Sequence, residues 1–263
     1  MLSPSMPIVD AEAVVLRHYS LCEADRIIVF ATREHGKVRA VAKGVKKPRS
    51  RLAGPLEPLT HLRAKFFLRE GADLWQLRQC ETIRAYLGRN PSPELVNGCS
   101  YVAELTCEFL EEHNPNPPLF RLLLSTIAAL ESRGCDEALV HYFELWLLKI
   151  EGVLPDYTYC SNCGGCAKDS GLYAQVDSGQ GLCVACCEGR GLQIRPAALD
   201  ALSAFLRLPP LGFSALELTR PVLSDLGRLT QKLLEWSLEK PLRSYPALVS
   251  TWRKAKGGQE EGI

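Results

Sequence analysis

Residues 160 to 187 read CSNCGGCAKDSGLYAQVDSGQGLCVACC, and no other stretch limits the fold so tightly. It holds Cys160-x2-Cys163 and Cys183-x2-Cys186, separated by nineteen residues. Gly, Ser and Asp dominate the segment, leaving too few apolar side chains to fold it by burial alone, so it needs a staple. Each C-x2-C knuckle places two thiolates about one turn apart, and two knuckles together close a tetrahedron around Zn2+. Cys160, Cys163, Cys183 and Cys186 are therefore the candidate ligands of a structural zinc ion. A four-cysteine site has no open position for water, which argues for architecture rather than hydrolysis. Cys166 and Cys187 each follow a knuckle and leave two alternatives open. One of them replaces a ligand, or C-x2-C-x2-C spacing helps hold an iron–sulfur cluster, although no Cys-Pro completes that pattern.

Reading eleven cysteines as metal ligands and buried thiols requires a reducing compartment. The start, MLSPSMPIVD, has neither the basic residues nor the apolar core of a signal peptide, and no run reaches the roughly 18 apolar residues of a membrane span. Cytoplasm is the expected location, without membrane contact. Of the remaining thiols, Cys99, Cys107 and Cys135 are expected to be small buried or half-buried groups.

The insert interrupts a helical pattern. Ser92 is a candidate N-cap for PELVNGCSYVAELTCEFLEEH, in which Leu95, Cys99, Val102, Leu105 and Phe109 recur at three- and four-residue spacings. A second helix is predicted from about Leu119 to Arg133, stopping at Gly134, and a third after Asp136. Beyond the insert two more are predicted, near Pro196–Leu208 and Ser214–Leu238, making five. The final KAKGGQEEGI has the composition of a disordered tail.

Before the helices the apolar period shortens to two. EAVVLRH, RIIVFATR, KVRAVAKG, HLRAKFFLRE and LWQLRQCETI read as five strands, with Glu34, His35 and Gly36 as a tight hairpin loop in which His35 is a turn residue. Five strands within some seventy residues leave no room for crossover helices, so the fold class is α+β with an N-terminal five-stranded OB-fold barrel. The expected domains are 1–83 for the barrel, 84–156 and 193–252 for the two parts of the helical domain, 157–192 for the zinc insert and 253–263 for the tail. Phe66 and Phe67 fall on opposite faces of their strand, so at least one belongs to the core; with Trp75 they are the few aromatics available for bases.

The barrel carries the chain's charge asymmetry. Arg33, Lys37, Arg39, Lys43, Lys46, Lys47, Arg49 and Arg51 face one acid, Glu34, within nineteen residues, although the formal net charge is only +1. Like charges repel, so the run stabilises nothing and marks a solvated loop or an anion-binding surface. Nucleic acid is the expected anion, because each neutralised phosphate releases counterions. Pro48 breaks strand pairing and leaves the surrounding cations on an exposed, mobile segment, where contacts to the nucleic-acid backbone should outweigh contacts to bases. Motifs for nucleotide hydrolysis, dinucleotide binding, zinc proteolysis or a serine nucleophile are absent, which favours a binding protein.

These features together carry a resemblance. LRHYSLCEADRIIVFATREHGKVRAVAKGVKKPRSRL, a helical domain, a four-cysteine knuckle pair and a closing LLEWSLEKPLRSYPAL resemble the bacterial recombination mediator family RecO over nearly the whole chain. The resemblance implies a non-enzymatic, nucleoid-associated DNA repair protein of the RecF pathway. Such a protein binds single- and double-stranded DNA, anneals complementary strands and, with RecR, loads RecA on gaps coated by the single-stranded DNA-binding protein SSB, whose acidic tail the helical domain contacts. It assigns DNA contacts to the eight cations above and zinc to the four cysteines. Two other readings compete: an RNA-binding or ribosome-associated OB protein, and a metalloenzyme using Cys166 or Cys187 as nucleophile or redox centre.

Overall fold

The computed structural model describes residues 8–47, 50, 52–68, 74–167 and 169–257. Pro48, Arg49, Arg51 and the end of the chain from 258 lie outside the described residues. The chain forms two compact units, Met1–Glu131 and Ser132–Ile263. None of the described helices is long and apolar enough to cross a membrane.

The first unit is built on a closed barrel of β1 (Ile8–Ser20), β2 (Arg26–Thr32), β3 (Gly36–Ala42), β4 (Thr60–Phe67) and β5 (Trp75–Ala85), in the order β1-β2-β3-β5-β4. Strict alternation puts Ala11, Ala13, Val15, Ile28, Phe30, Val38, Leu62 and Phe66 inside, as a period of two requires. A register shift between Val15 and Arg17 bends β1 so that one strand pairs with both β2 and β4. Phe66, expected as a core candidate, stacks edge-on with Phe30 at 5.4 Å and with Trp75 at 5.5 Å, so both Phe66 and Trp75 are structural.

α1 (Pro93–Phe109) starts where the sequence places it, with the Ser92 side chain accepting from the Leu95 amide. α2 (Pro117–Arg133) follows. The link between them does more than connect. β3 pairs with β5 only at Ala40 and Val41, so the rest of its outer edge needs other partners. Residues 111–113 supply them: the Lys37 amide donates to the Glu111 carbonyl at 2.9 Å and the His113 amide to the Lys37 carbonyl at 3.2 Å. Gly36 permits this approach. Its φ is +63°, and a Cβ there would sit 2.1 Å from the Asn114 carbonyl oxygen.

The second unit centres on α3 (Glu137–Ile150), capped by Asp136 as expected and buried on nearly every face against α5 (Pro210–Ser214) and α6 (Arg220–Leu238). α4 (Pro196–Ala204) also packs on α6. The insert contributes a small sheet of β6 (Leu172–Gln175), β7 (Gln180–Leu182) and β8 (Leu192–Ile194), ordered β7-β6-β8.

Three helical expectations need correction. The segment predicted as one helix from Ser214 to Leu238 is broken: Glu217 adopts φ +49°, and α6 restarts at Arg220 with Pro221 in its first turn. α4 ends at Ala204 rather than near Leu208, and α5 begins at Pro210, where the Pro209-Pro210 pair forces a new start. α7 (Tyr245–Gly257) runs through the first five residues of the expected tail, because Pro246 opens it and nothing between Ala247 and Lys256 breaks it.

Gly36→Ala should destabilise the first unit by about 2–5 kcal/mol, from the left-handed backbone and the collision with Asn114. Urea unfolding of the full chain checks this; a loss under about 1 kcal/mol would mean that the 111–114 segment yields freely.

Candidate metal centre and nucleic-acid interface

The Sγ atoms of Cys160, Cys163, Cys183 and Cys186 all lie within 4.8 Å of one another. A tetrahedral ion with metal–sulfur bonds of about 2.3 Å requires sulfurs about 3.8 Å apart. Cys163 and Cys183 are 3.8 Å apart, so the four residues fit such an ion. Turn geometry prepares the cluster: the Gly164 amide donates to the Cys160 carbonyl at 2.9 Å with Gly164 at φ +71°, and the Cys187 amide donates to the Cys183 carbonyl at 2.9 Å. The Cys183 and Cys163 amides point at the Cys160 sulfur and lower that thiol to about 6, as a metal-binding thiolate needs. At Cys186 a hydrogen bond with Asn162 pulls down, but hydrogen bonds with Cys183, Cys163 and Cys160, together with burial, push the thiol up to about 12.

The two cysteines left open by spacing fall outside the cluster. Cys166 is exposed and forms a β-bridge with Tyr159, while Cys187 is buried with its thiol toward the Val184 carbonyl at 3.4 Å. No three-cysteine knuckle converges on one point among the described residues, which removes the geometric basis for a ferredoxin-like cluster.

The basic run separates into two groups. Arg33, Lys37 and Arg39 are engaged within the unit. Arg33 reaches Glu12 through Nε at 2.7 Å and Nη2 at 2.9 Å and lies 5.2 Å from the Phe120 ring centre. His61 Nε2 meets the same carboxylate at 2.8 Å. Burial alone would raise the Glu12 carboxyl, but hydrogen bonds from Arg33 and His61 hold it below its usual range. Lys37 Nζ donates to the Cys107 carbonyl at 2.9 Å in the last turn of α1, where the helix dipole favours a cation. Arg39 spans both oxygens of Glu112, at 3.1 Å each.

Lys43, Lys46 and Lys47 form the other group. They are exposed, and among the described residues no carboxylate pairs with them. Residues 43–47 form a turn tied to the barrel, while Pro48, around which a mobile segment is expected, lies outside the described residues. The Gly44 amide donates to Asp25 Oδ1 at 2.7 Å, the Lys46 amide to the Ala24 carbonyl at 3.0 Å, and Val45 is buried in the barrel core. Lys46 Nζ spans to Ser20 Oγ at 3.0 Å and the Cys22 carbonyl at 2.9 Å. His35, read as a turn residue, is one, its amide donating to Thr32 Oγ1 at 3.0 Å.

Residues 6–86 match the family Recombination protein O N terminal, and residues 92–246 match Recombination protein O C terminal. The chain belongs to the RecO family of DNA repair proteins. It is 34% identical over 255 residues to the DNA repair protein RecO of Pelotomaculum thermopropionicum, covering 96% of this chain and 98% of the relative. The RecO of Koribacter versatilis is 31% identical, covering 88% and 94%, and that of Anaeromyxobacter sp. strain K is 32% identical, covering 87% and 89%. The two RecO family matches meet between residues 86 and 92, just after β5.

Cys163→Ser should reduce bound metal from about one ion per chain to near none, whereas Cys166→Ser and Cys187→Ser retain it; elemental analysis of purified protein decides. Glu12→Gln should cost about 1–3 kcal/mol near pH 7. Because the folded carboxyl titrates below its usual 4.5, that stabilisation is present above the unfolded value and is lost as pH falls through the folded one. Urea melts should therefore show the gap between variant and parent closing below about pH 4.5.

Proposed function

We propose that this chain is a recombination mediator without a catalytic step of its own. It binds single- and double-stranded DNA through the barrel, anneals complementary strands and, with RecR, promotes RecA loading on SSB-coated DNA, working at the nucleoid in the cytoplasm. The observation that carries this reading is the turn bearing Lys43, Lys46 and Lys47. Three cations free of acid partners are held on a turn already ordered by Asp25, so screening a phosphate demands little further ordering. Arg49 and Arg51 extend the same run in sequence. Screening lets two mutually repelling strands lie on one protein long enough to pair. Arg33, Lys37 and Arg39 contribute field more than direct contacts, since each already has a partner.

The closed four-sulfur site suits Zn2+ as a structural ion holding residues 157–192 in shape. For the acidic SSB tail, the second unit offers a cavity of about 540 Å³ between the stem of the insert and α4. Leu199, Leu202 and Phe205 give it an apolar wall, and Lys149 and Arg207 carry positive charge at its edge. Asp156 and Asp200 also line it; Asp156 is committed to Thr158 through bonds of 2.9 and 2.6 Å, and Asp200 leaves the lining one acid to set against Lys149 and Arg207. The family resemblance also implies that this tail ends in Phe, which apolar walls with nearby cations suit.

The test is fluorescence-reported annealing of complementary strands coated with SSB. The full chain should accelerate annealing, and Lys43→Ala/Lys46→Ala/Lys47→Ala should slow it. The same triple variant should lower the slope of log affinity against log salt for single strands by about 2, at roughly 0.7 per lost phosphate contact. Unchanged affinity and slope would overturn the role of the turn. A preference for structured RNA over single-stranded DNA at matched salt would replace the mediator by an RNA-binding protein.

A further inference from the structure

The cavity between the stem of the insert and α4 has two walls of different origin. One is α4 with the turn after it, on which Leu199, Leu202 and Phe205 are buried. Trp146 Nε1 donates to the Phe205 carbonyl at 3.2 Å and the Tyr142 hydroxyl to the Leu208 carbonyl at 3.1 Å, so α3 holds this wall. The other is a hairpin of residues 157–167 whose tip is the first cysteine knuckle. Tyr159 and Cys166 form a β-bridge, the Cys160 amide donates to the Gly165 carbonyl at 2.9 Å, and the Ala167 amide to the Thr158 carbonyl at 3.2 Å. Tyr157, Thr158, Tyr159 and Cys166, from both arms, line the cavity. Two strands this short are marginal in water by themselves.

Both knuckles reach the hairpin wall. Ser161, between Cys160 and Cys163, donates its amide to the Gly181 carbonyl at 2.8 Å and accepts the Gly181 amide on Oγ at 3.2 Å. Gly181, two residues before Cys183, lies against the Tyr157 ring: a Cβ there would sit 2.9 Å from Tyr157 Cδ1. The Cys183 amide donates to the Cys160 sulfur at 3.3 Å. Tyr157 is 5% exposed, and among the described residues its buried hydroxyl has no partner, so packing on Gly181 places the ring rather than a hydrogen bond of its own. The position of the wall therefore depends on the two knuckles staying together, whereas α4 has separate support.

We propose that metal binding by Cys160, Cys163, Cys183 and Cys186 controls the cavity: closing the knuckles on one ion sets the hairpin wall, and opening them releases that wall while α4 stays in place. Ligand and metal then favour one another reciprocally, because each binds the arrangement that the other needs. The inference rests on the reading of the cavity as a site for an acidic peptide with an aromatic end and adds its regulation.

Hydrogen exchange of the full chain, zinc-loaded and after chelation, tests the control of the wall. Chelation should speed exchange of the Cys160, Gly164 and Ala167 amides by about 10-fold or more and leave α4 unchanged. Equal acceleration in α4 would mean that the second unit opens as a whole, and no acceleration in the hairpin would mean that the wall stands without an ion; either result overturns the control. Reciprocity is read with a synthetic acidic peptide ending in Phe. At saturation it should slow zinc loss to a chelator by about 10-fold, and Ser203→Trp, which fills the cavity from α4, should keep the zinc but remove this protection. A peptide that binds the zinc-loaded chain without slowing zinc loss would overturn the coupling alone. Failure of the zinc-loaded chain to bind the peptide would overturn the reading of the cavity itself.

Discussion

The outer edge of β3 sets much of what the first unit can do. Its other edge is matched to β2 from Ala42 opposite Arg26 to Gly36 opposite Thr32. A five-stranded barrel of this order closes through a parallel contact between β3 and β5, here two residue pairs long, so backbone donors and acceptors from Gly36 onward are left over. Burying them unpaired would cost about 1–3 kcal/mol each. The chain instead returns after α1 to complete the seam with residues 111–113. Once that segment is on β3, Gly36 has no room for a side chain, and Lys37 and Arg39 point at a helix end and at Glu112. Among the described residues of the basic run, the cations without a carboxylate partner are those after the strand ends.

This explains which parts of the first unit were legible in the sequence. Alternation marked the five strands, and Gly36 marked the hairpin, because both signals are local. Ser92 and Asp136 announced their helices for the same reason. The division of the basic run was not legible. Lys37 and Arg39 meet partners 70 and 73 residues away, and composition cannot distinguish a cation that holds a seam from one that awaits a phosphate. Spacing picked out the four cysteines whose sulfurs converge, but only the knuckle geometry separates Cys166 and Cys187 from them.

The second unit solves a related problem with side chains. Glu144 is fully buried in α3, where an unpaired carboxylate would be very costly. His141 Nδ1 at 2.8 Å, Thr230 Oγ1 at 2.6 Å and Gln231 Nε2 at 2.9 Å surround it, fixing α6 in one register against α3. Asp225, also on α6, accepts from the Arg195 backbone amide at 3.1 Å, and from the guanidinium groups of Arg195 at 2.8 Å and Arg228 at 2.6 Å. Arg195 joins β8 to α4, so the exit of the cysteine insert is tied to the same helix that α3 holds. A segment too polar to fold alone is thereby anchored by an ion pair at its end, and its four converging sulfurs could hold a metal ion within it.

The acid beside the basic turn, Asp25, spends charge to gain order. Asp25 subtracts one charge from the field that attracts a polyanion, and a surface built for attraction alone would omit it. Its carboxylate accepts the Gly44 amide and, with the Ala24 carbonyl, holds the turn against the barrel before any ligand arrives. Long-range attraction scales with net charge and is screened by salt, whereas the cost of ordering a loop is met anew at each binding event. Under the function proposed above, in which strands are taken up, paired and released repeatedly, a turn already in place is worth more than one further unit of positive charge.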